Sequence, residues 1–271
     1  MCMNKDNFLK SVTVMDSETT DLIPDNAEIV EIAGARYNGH DWDVQSMLLG
    51  SVKPIPPEAS AKNNISQRMI AGKPTFAQSA DRVKEILHWN DTTYWVAHNC
   101  MYDQAVLSRA WISADETPQV IVTQDRNRWI CTHRLAKQLF NVNFKDMQYN
   151  LSYLRYKFDL PVDDSTGVHR GADDTLVCSK LFEFLVNTAL EQGIISNESN
   201  IGEQIHKLCW QPFSVTSWPF GKHKGKKFSD IPTDYYLWAI DNMDCFKEKH
   251  ENYNPDMVDA VRQELESRLT T

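Results

Sequence analysis

No Cys-x-x-Cys pair occurs in the 271 residues, and the six cysteines (Cys2, Cys100, Cys131, Cys178, Cys209 and Cys245) are scattered. That spacing argues against a zinc thiolate site and a disulfide framework, and reads as reduced thiols. No stretch is long and apolar enough to cross a bilayer. Met1-Cys2-Met3-Asn4-Lys5-Asp6 carries no apolar signal-peptide core, so the expectation is a soluble, cytoplasmic protein with no membrane partner. Internal repeats and low-complexity tracts are missing too. Positive charge is in deficit, with 28 Lys and Arg against 37 Asp and Glu and a net charge of −9. This argues against a broad, high-affinity duplex-binding surface. It leaves open an enzyme whose carboxylates hold cations, because bound cations reverse the local field. At 42% hydrophobic content the chain can bury one large domain, or one with a small appendage.

Strand patterns come early. Ser11 to Asp16 reads as a short buried strand, and Ile29 to Tyr37 and Trp42 to Val52 as two more, joined by the hairpin signal Asn38-Gly39. Pro54, Pro56 and Pro57 are then expected to forbid regular structure. Helical spacing runs from Phe76 to Trp89, a short strand from Tyr94 to Ala97, and a helix begins near Asp103. Trp129 to Cys131 reads as a strand, Thr132 to Phe140 as a helix, and Gly171 to Leu190 as the clearest helix of the chain. Hairpin strands followed by alternating strands and helices predict an α/β domain with a mixed sheet.

The expected organisation is a main domain over 1–193, a polar linker over 194–209 and a small aromatic and basic domain over 210–271. In the last of these, Phe220-Gly221-Lys222-His223-Lys224-Gly225-Lys226-Lys227-Phe228 is a basic loop between two aromatics. A solvated hairpin tip and a phosphate contact are both open readings, and the second is favoured because the chain as a whole is acidic. Trp218 and Phe220 lie near enough in sequence to stack bases, although the aromatics of this segment read first as the core of a small domain.

Chemistry gathers in three separated motifs. Asp16 and Glu18 end the first strand, where residues i and i+2 share a face. Asp103 closes His98-Asn99-Cys100-Met101-Tyr102-Asp103, and His169 and Asp174 bracket His169-Arg170-Gly171-Ala172-Asp173-Asp174. Each has a bland alternative: a solvated strand end, a helix cap, a surface histidine. Together they are carboxylates without thiolates, which suit hard cations such as Mg²⁺ or Mn²⁺, and a histidine able to take a proton. Two such ions clamped by carboxylates are a standard device for in-line attack on a phosphodiester.

These motifs resemble those of the DEDDh 3′→5′ exonuclease superfamily, built on a ribonuclease H-like fold, from about Ser11 to Leu190. Trp129 to Ala136 and Phe220 to Lys226 are most similar to exodeoxyribonuclease X-like enzymes. The resemblance implies two Mg²⁺ or Mn²⁺ ions held by Asp16, Glu18, Asp103 and Asp174, with His169 as general base. The spacing from His169 selects Asp174 over Asp173.

It further implies contacts to the 3′-terminal nucleotide from Leu22 and from the backbone amides of Thr19 and Thr20, with Asn99 beside the substrate. Leu22 reads equally well as a core leucine. Two positions depart from the family pattern. Asp21 replaces a glycine, a change that a left-handed backbone tolerates in Asp. Gly171 replaces an alanine, which is expected to loosen the helix start by up to about 1 kcal/mol. The implied activity is hydrolysis of single-stranded or 3′-terminal DNA to nucleoside 5′-monophosphates, with nucleic acid bearing a free 3′ end as partner. An exoribonuclease and a catalytically silent nucleic-acid-binding scaffold are the alternatives. The second requires loss of a ligand or the histidine, and all five residues are present.

Overall fold

Apolar and β-branched residues run unbroken from Val12 to Met15, and this run is fully buried at the centre of a five-stranded sheet. The computed structural model describes residues 4–140, 148–163, 170–213, 215, 217–247 and 254–269. Strand β1 (Val12–Thr19) pairs antiparallel with β2 (Ile29–Tyr37), and β2 pairs antiparallel with β3 (Trp42–Leu48). On its other side β1 pairs parallel with β4 (Tyr94–Ala97), which pairs parallel with β5 (Trp129–Cys131). The order is β3-β2-β1-β4-β5, the mixed sheet of a ribonuclease H-like α/β fold. Asn38 N–H bonds to the Asp41 carbonyl at 3.0 Å and Gly39 takes φ 108°, so the β2–β3 loop closes where the Asn-Gly signal lies.

The helices of the first part of the chain are α1 (Lys5–Ser11), α2 (Pro57–Asn63), α3 (Gln67–Ile70), α4 (Ala80–Ile86) and α5 (Cys100–Ser113). Next come α6 (Thr117–Gln124), α7 (Thr132–Phe140), α8 (Leu151–Lys157), α9 (Gly171–Glu191) and α10 (Ile201–Trp210). In the C-terminal part they are α11 (Thr233–Asn242) and α12 (Pro255–Leu269). Period 2 along β2 decides the faces. The Glu31 and Ala33 side chains meet α9 at Gly171, whereas Gly34 lies against the end of α4. Around the sheet the core closes with Phe8, Trp95, Trp111, Trp129 and Phe182, all fully buried.

Close approach explains Gly34. A Cβ there would stand 2.3 Å from the Ile86 carbonyl oxygen, a backbone atom that cannot move aside cheaply. Gly34→Ala is expected to cost roughly 2 kcal/mol or more and to lower Tm by about 4–8 °C, read by thermal denaturation. An unchanged Tm would mean that the sheet and α4 yield freely.

Several elements differ from the sequence expectation. The proline-rich stretch does contain a helix: α2 begins at Pro57, and proline is tolerated at the first helical position because its missing N–H has no intrahelical partner there. The Phe76–Trp89 segment divides into a 3₁₀ turn over Ala77–Ser79 and α4, and β3 stops at Leu48. The stretch 194–209 is not a linker throughout. It carries most of α10, whose Ile201, Ile205, Leu208 and Cys209 are buried against the sheet domain. Its last residue, Trp210, donates Nε1–H to the Trp129 carbonyl at 2.8 Å.

The chain divides into two compact units, Met1–Trp210 and Gln211–Thr271. The second has its own core of Trp218, Phe228, Ile231, Tyr236, Met257 and Val261. Among the described residues, no helix is long and apolar enough to cross a membrane.

Candidate active site

Three elements of the first unit bring the acidic residues together. Asp16 and Glu18 leave β1 on one face, opposite Ala33 and Glu31 of β2, and a register shift follows at Glu18–Thr19. Asp174 joins them from the first turn of α9, and one carboxylate oxygen from each of Asp16, Glu18 and Asp174 lies within 4.8 Å of the others. Asp103, buried on α5, reaches the same strand end from the other side. Ser17, between the two acids, donates its hydroxyl to Asp103 Oδ1 at 2.7 Å. Alternation along a single strand thus serves both sides of the site.

Electrostatics set these carboxylates against one another. Burial first, then Asp103, Glu18, Asp174 and Glu31, hold the Asp16 carboxyl well above the ordinary carboxylate range. Burial and the charges of Asp174 and Glu31 push Glu18 up to about 7, and exposed Lys62 on α2 works against that push. Burial likewise raises Asp103 to about 7, against the lowering effect of the Ser17 hydrogen bond. Oxygen donors crowded in this way fit a hard divalent cation, which would neutralise the repulsion they create. Asp173, next to Asp174 in the first turn of α9, is not part of the three-residue cluster. His169 lies outside the described residues.

The surroundings show which other residues matter. Glu31 is 2% exposed, and no sequence motif singles it out from the strand that carries it. Its carboxylate accepts Gly171 N–H at 3.1 Å, Arg170 Nε–H at 3.3 Å and the Ser46 hydroxyl at 3.3 Å. It therefore ties the start of α9, and with it Asp174, to β2. A Cβ on residue 171 would stand 3.2 Å from Glu31 Cγ and 3.3 Å from Cδ. Gly171 thus makes room for the carboxylate that anchors it, which offsets the loosening expected from glycine.

Substrate-side expectations divide. Leu22 is 73% exposed, which removes the core reading and leaves it available for contact. Asn99 is exposed with φ 67°, in the left-handed turn that opens α5. The Thr20 amide donates to the Glu28 carbonyl at 3.0 Å and its hydroxyl accepts Glu28 N–H at 3.0 Å. That amide is engaged within the fold, contrary to the contact implied for it. The Thr19 hydroxyl lies 2.5 Å from the Tyr102 hydroxyl, and both lie on the Asp21 carbonyl, at 2.9 and 2.6 Å.

Asp21 does not adopt the left-handed backbone that a glycine would allow. Its side chain accepts Ile23 N–H at 2.9 Å, an Asx turn that makes the bend by another means. His98 is structural. Its ring bonds to Thr132 at 2.9 Å and to the Tyr149 carbonyl at 2.8 Å, and burial lowers its pKa to about 4.

In the second unit Lys222, Lys224, Lys226 and Lys227 are all exposed on a tight turn held by Gly225 N–H to Trp218 O and Trp218 N–H to Lys226 O, each 2.8 Å. Trp218 is fully buried beneath the turn and Phe220 half-buried, so Trp218 cannot stack a base.

Comparisons agree with the geometry. The family profile described as RNase_T exonuclease matches residues 13–182. Exodeoxyribonuclease 10 of Escherichia coli strain K12 is 28% identical over 235 residues, 85% of this chain and 91% of the relative. DNA polymerase III subunit epsilon of Treponema pallidum is 27% identical over 175 residues, 64% of this chain and 75% of the relative. Among solved structures, exonuclease X in complex with 5′ overhanging duplex DNA matches with a TM-score of 0.53 at 26% identity, over 73% of this chain and 99% of that one. Escherichia coli exonuclease I in complex with a dT13 oligonucleotide matches with a TM-score of 0.57 at 12% identity, over 68% of this chain and 42% of that one, a likeness of fold alone. With Asp16, Glu18, Asp103 and Asp174 all inside the matched region, the chain belongs to the RNase_T exonuclease family, within the DEDDh 3′→5′ exonuclease superfamily of ribonuclease H-like fold.

Proposed function

We propose that this protein is a metal-dependent exodeoxyribonuclease that hydrolyses single-stranded or 3′-terminal DNA from a free 3′ end and releases nucleoside 5′-monophosphates. The observation that carries the reading is the crowding of Asp16, Glu18 and Asp174 within 4.8 Å, with the Asp16 and Glu18 carboxyls raised by burial and by the neighbouring negative charges. Asp16, Glu18 and Asp174, with Asp103 beside them, would hold two divalent ions, Mg²⁺ or Mn²⁺. When bound, these ions supply charge neutralisation at the phosphate and activation of the attacking water.

The chain's own residues do the rest. Asp16 and Glu18 hold their positions because β1 is buried in the sheet, and Asp174 because Glu31 anchors α9. Ser17 keeps Asp103 oriented. His169 is proposed, on its motif spacing alone, to take the proton of the attacking water, a contribution of roughly 10²–10⁴-fold. Leu22 and Asn99, both exposed, are proposed to meet the terminal nucleotide, and exposed Lys62 to meet a phosphate. Lys222, Lys224, Lys226 and Lys227 would hold the strand by its backbone. DNA is favoured over RNA because the relatives named above are exodeoxyribonucleases or DNA polymerase subunits, or were solved with DNA. A cytoplasmic location goes with this reading.

End-labelled single-stranded DNA and matched RNA, each with a free or blocked 3′ end, test it with Mg²⁺, Mn²⁺ or EDTA. A ladder that shortens from the free 3′ end of DNA, absent with EDTA, is the expected result. Faster loss of the RNA would overturn the sugar assignment. Cleavage of 3′-blocked strands would overturn the polarity.

A further inference from the structure

The second unit contains a cleft that the proposed chemistry does not use. It is an open space of about 750 Å³ lined by Lys222, His223, Pro232, Tyr235, Trp238 and Met243, among others. Tyr235 and Trp238 stand three residues apart on α11 and therefore share a face, with ring centroids 5.4 Å apart and planes 32° apart. Trp238 is 50% exposed, unusual for the largest apolar side chain in a unit that buries Trp218 completely.

The Tyr235 ring is held from below. Trp218 meets it edge-on at 5.4 Å, and buried His223 packs against it at 4.4 Å. Lys222 Nζ lies 4.9 Å over the same ring, at the edge of the cleft, and Lys224, Lys226 and Lys227 follow on the exposed turn. His223 Nδ1 is buried without a hydrogen-bond partner among the described residues. Asp234 is the carboxylate among the lining residues. It sits in the first turn of α11, where the helix dipole favours a negative charge.

We infer that this cleft is a base-stacking subsite for single-stranded DNA, in which a nucleobase lies on the Tyr235–Trp238 shelf while the neighbouring phosphates meet Lys222 and the lysine turn. Charge complementarity selects this occupant. An apolar shelf bordered by a run of lysines, in a chain of net charge −9, fits a polyanion that carries flat apolar rings. The inference rests on the proposed contact between the lysine turn and nucleic acid, and it moves the stacking surface from Trp218 and Phe220 to Tyr235 and Trp238.

The test is equilibrium binding of fluorescein-labelled (dT)₂₀ to the full chain in EDTA, by anisotropy. No cleavage enters this measurement, so a failure of the exonuclease reading would appear in the cleavage ladder and not here. Trp238→Ala is expected to weaken binding by roughly five- to a hundredfold, the range for removal of one base–aromatic stack, with the salt dependence unchanged. Trp238→Phe keeps an aromatic face and is expected to bind within about threefold of wild type, while the quenching of tryptophan emission by DNA is lost. Lys222→Ala with Lys224→Ala should instead flatten the salt dependence, by about 0.7 in log–log slope for each phosphate that is no longer neutralised. Ile240, exposed on the same helix but outside the cleft lining, serves as control, and its alanine variant should bind normally. Wild-type affinity in Trp238→Ala would overturn the inference and leave this face to a protein partner. Equal losses in Trp238→Ala and Ile240→Ala would overturn it as well.

Discussion

Asp16→Asn is expected to lose cleavage by roughly 10³-fold or more, since changes to groups around a metal ligand already cost about 10–100-fold. The same variant should be more stable than wild type in EDTA. Asp16 is the centre of the repulsion, facing Asp103, Glu18, Asp174 and Glu31 from a half-buried position, and the amide removes its charge while keeping its shape. A gain of about 1–2 kcal/mol would raise Tm by about 2–8 °C.

The pH dependence follows from the direction of the shifts. In the unfolded chain Glu18 and Asp103 release their protons near the ordinary 4.5 and 3.8, and in the folded protein both do so at about 7. Between those values the folded state holds more protons, so metal-free stability falls as pH rises through the window. One such carboxylate accounts for about 3 kcal/mol at the upper end. Thermal scans in EDTA between pH 4.5 and 8 should show a steeper fall for wild type than for Asp16→Asn. Mg²⁺ should reduce that fall, because cations replace the protons. A wild-type Tm that rises with pH relative to the variant would contradict the cluster's electrostatics.

Glu31→Ala should show the second large effect, through position and without contact to the reacting atoms. Loss of the carboxylate leaves Gly171 N–H without its acceptor and frees Arg170, at a cost of about 1–3 kcal/mol. Because Asp174 follows within the same helical turn, kcat is expected to fall roughly 10–100-fold while KM for a DNA oligonucleotide changes little. Glu31→Gln separates the two roles. Its amide oxygen can keep the bonds to Gly171 and Arg170 while the nitrogen faces Ser46, so Tm and most of kcat should return. A Glu31→Gln variant as impaired as Glu31→Ala would show that the charge, and not the hydrogen bonds, is what the site requires.

Much of the site is legible because it is encoded locally. Asp16 and Glu18 stand two apart, on one face of a strand that the apolar run before them identifies, and Asp174 occupies the first turn of a helix with a clear apolar period. The two hairpin strands and their turn follow from period 2 and Asn38-Gly39 in the same way. What stayed hidden was burial and partnership. Ile201, Ile205 and Leu208 do keep helical spacing, yet the polar run at Asn197–Asn200 before them reads as a linker until the sheet that covers them is known. Trp218 and Trp238 are the same residue type, twenty positions apart in one aromatic-rich segment. One closes a core and the other lines a cleft, and only packing separates them.

By itself, then, the sequence determined the class of chemistry, the ligand set expected for it and the order of most strands and helices, because these depend on residue type and on spacing of two to five positions. The tertiary structure alone decided that Asp174 joins the two strand acids, that Glu31 holds Gly171 across 140 positions, that the Thr20 amide is already engaged, and where an aromatic stays exposed. Contacts between distant segments, and the burial they produce, are collective properties of the packed chain, and no local pattern carries them.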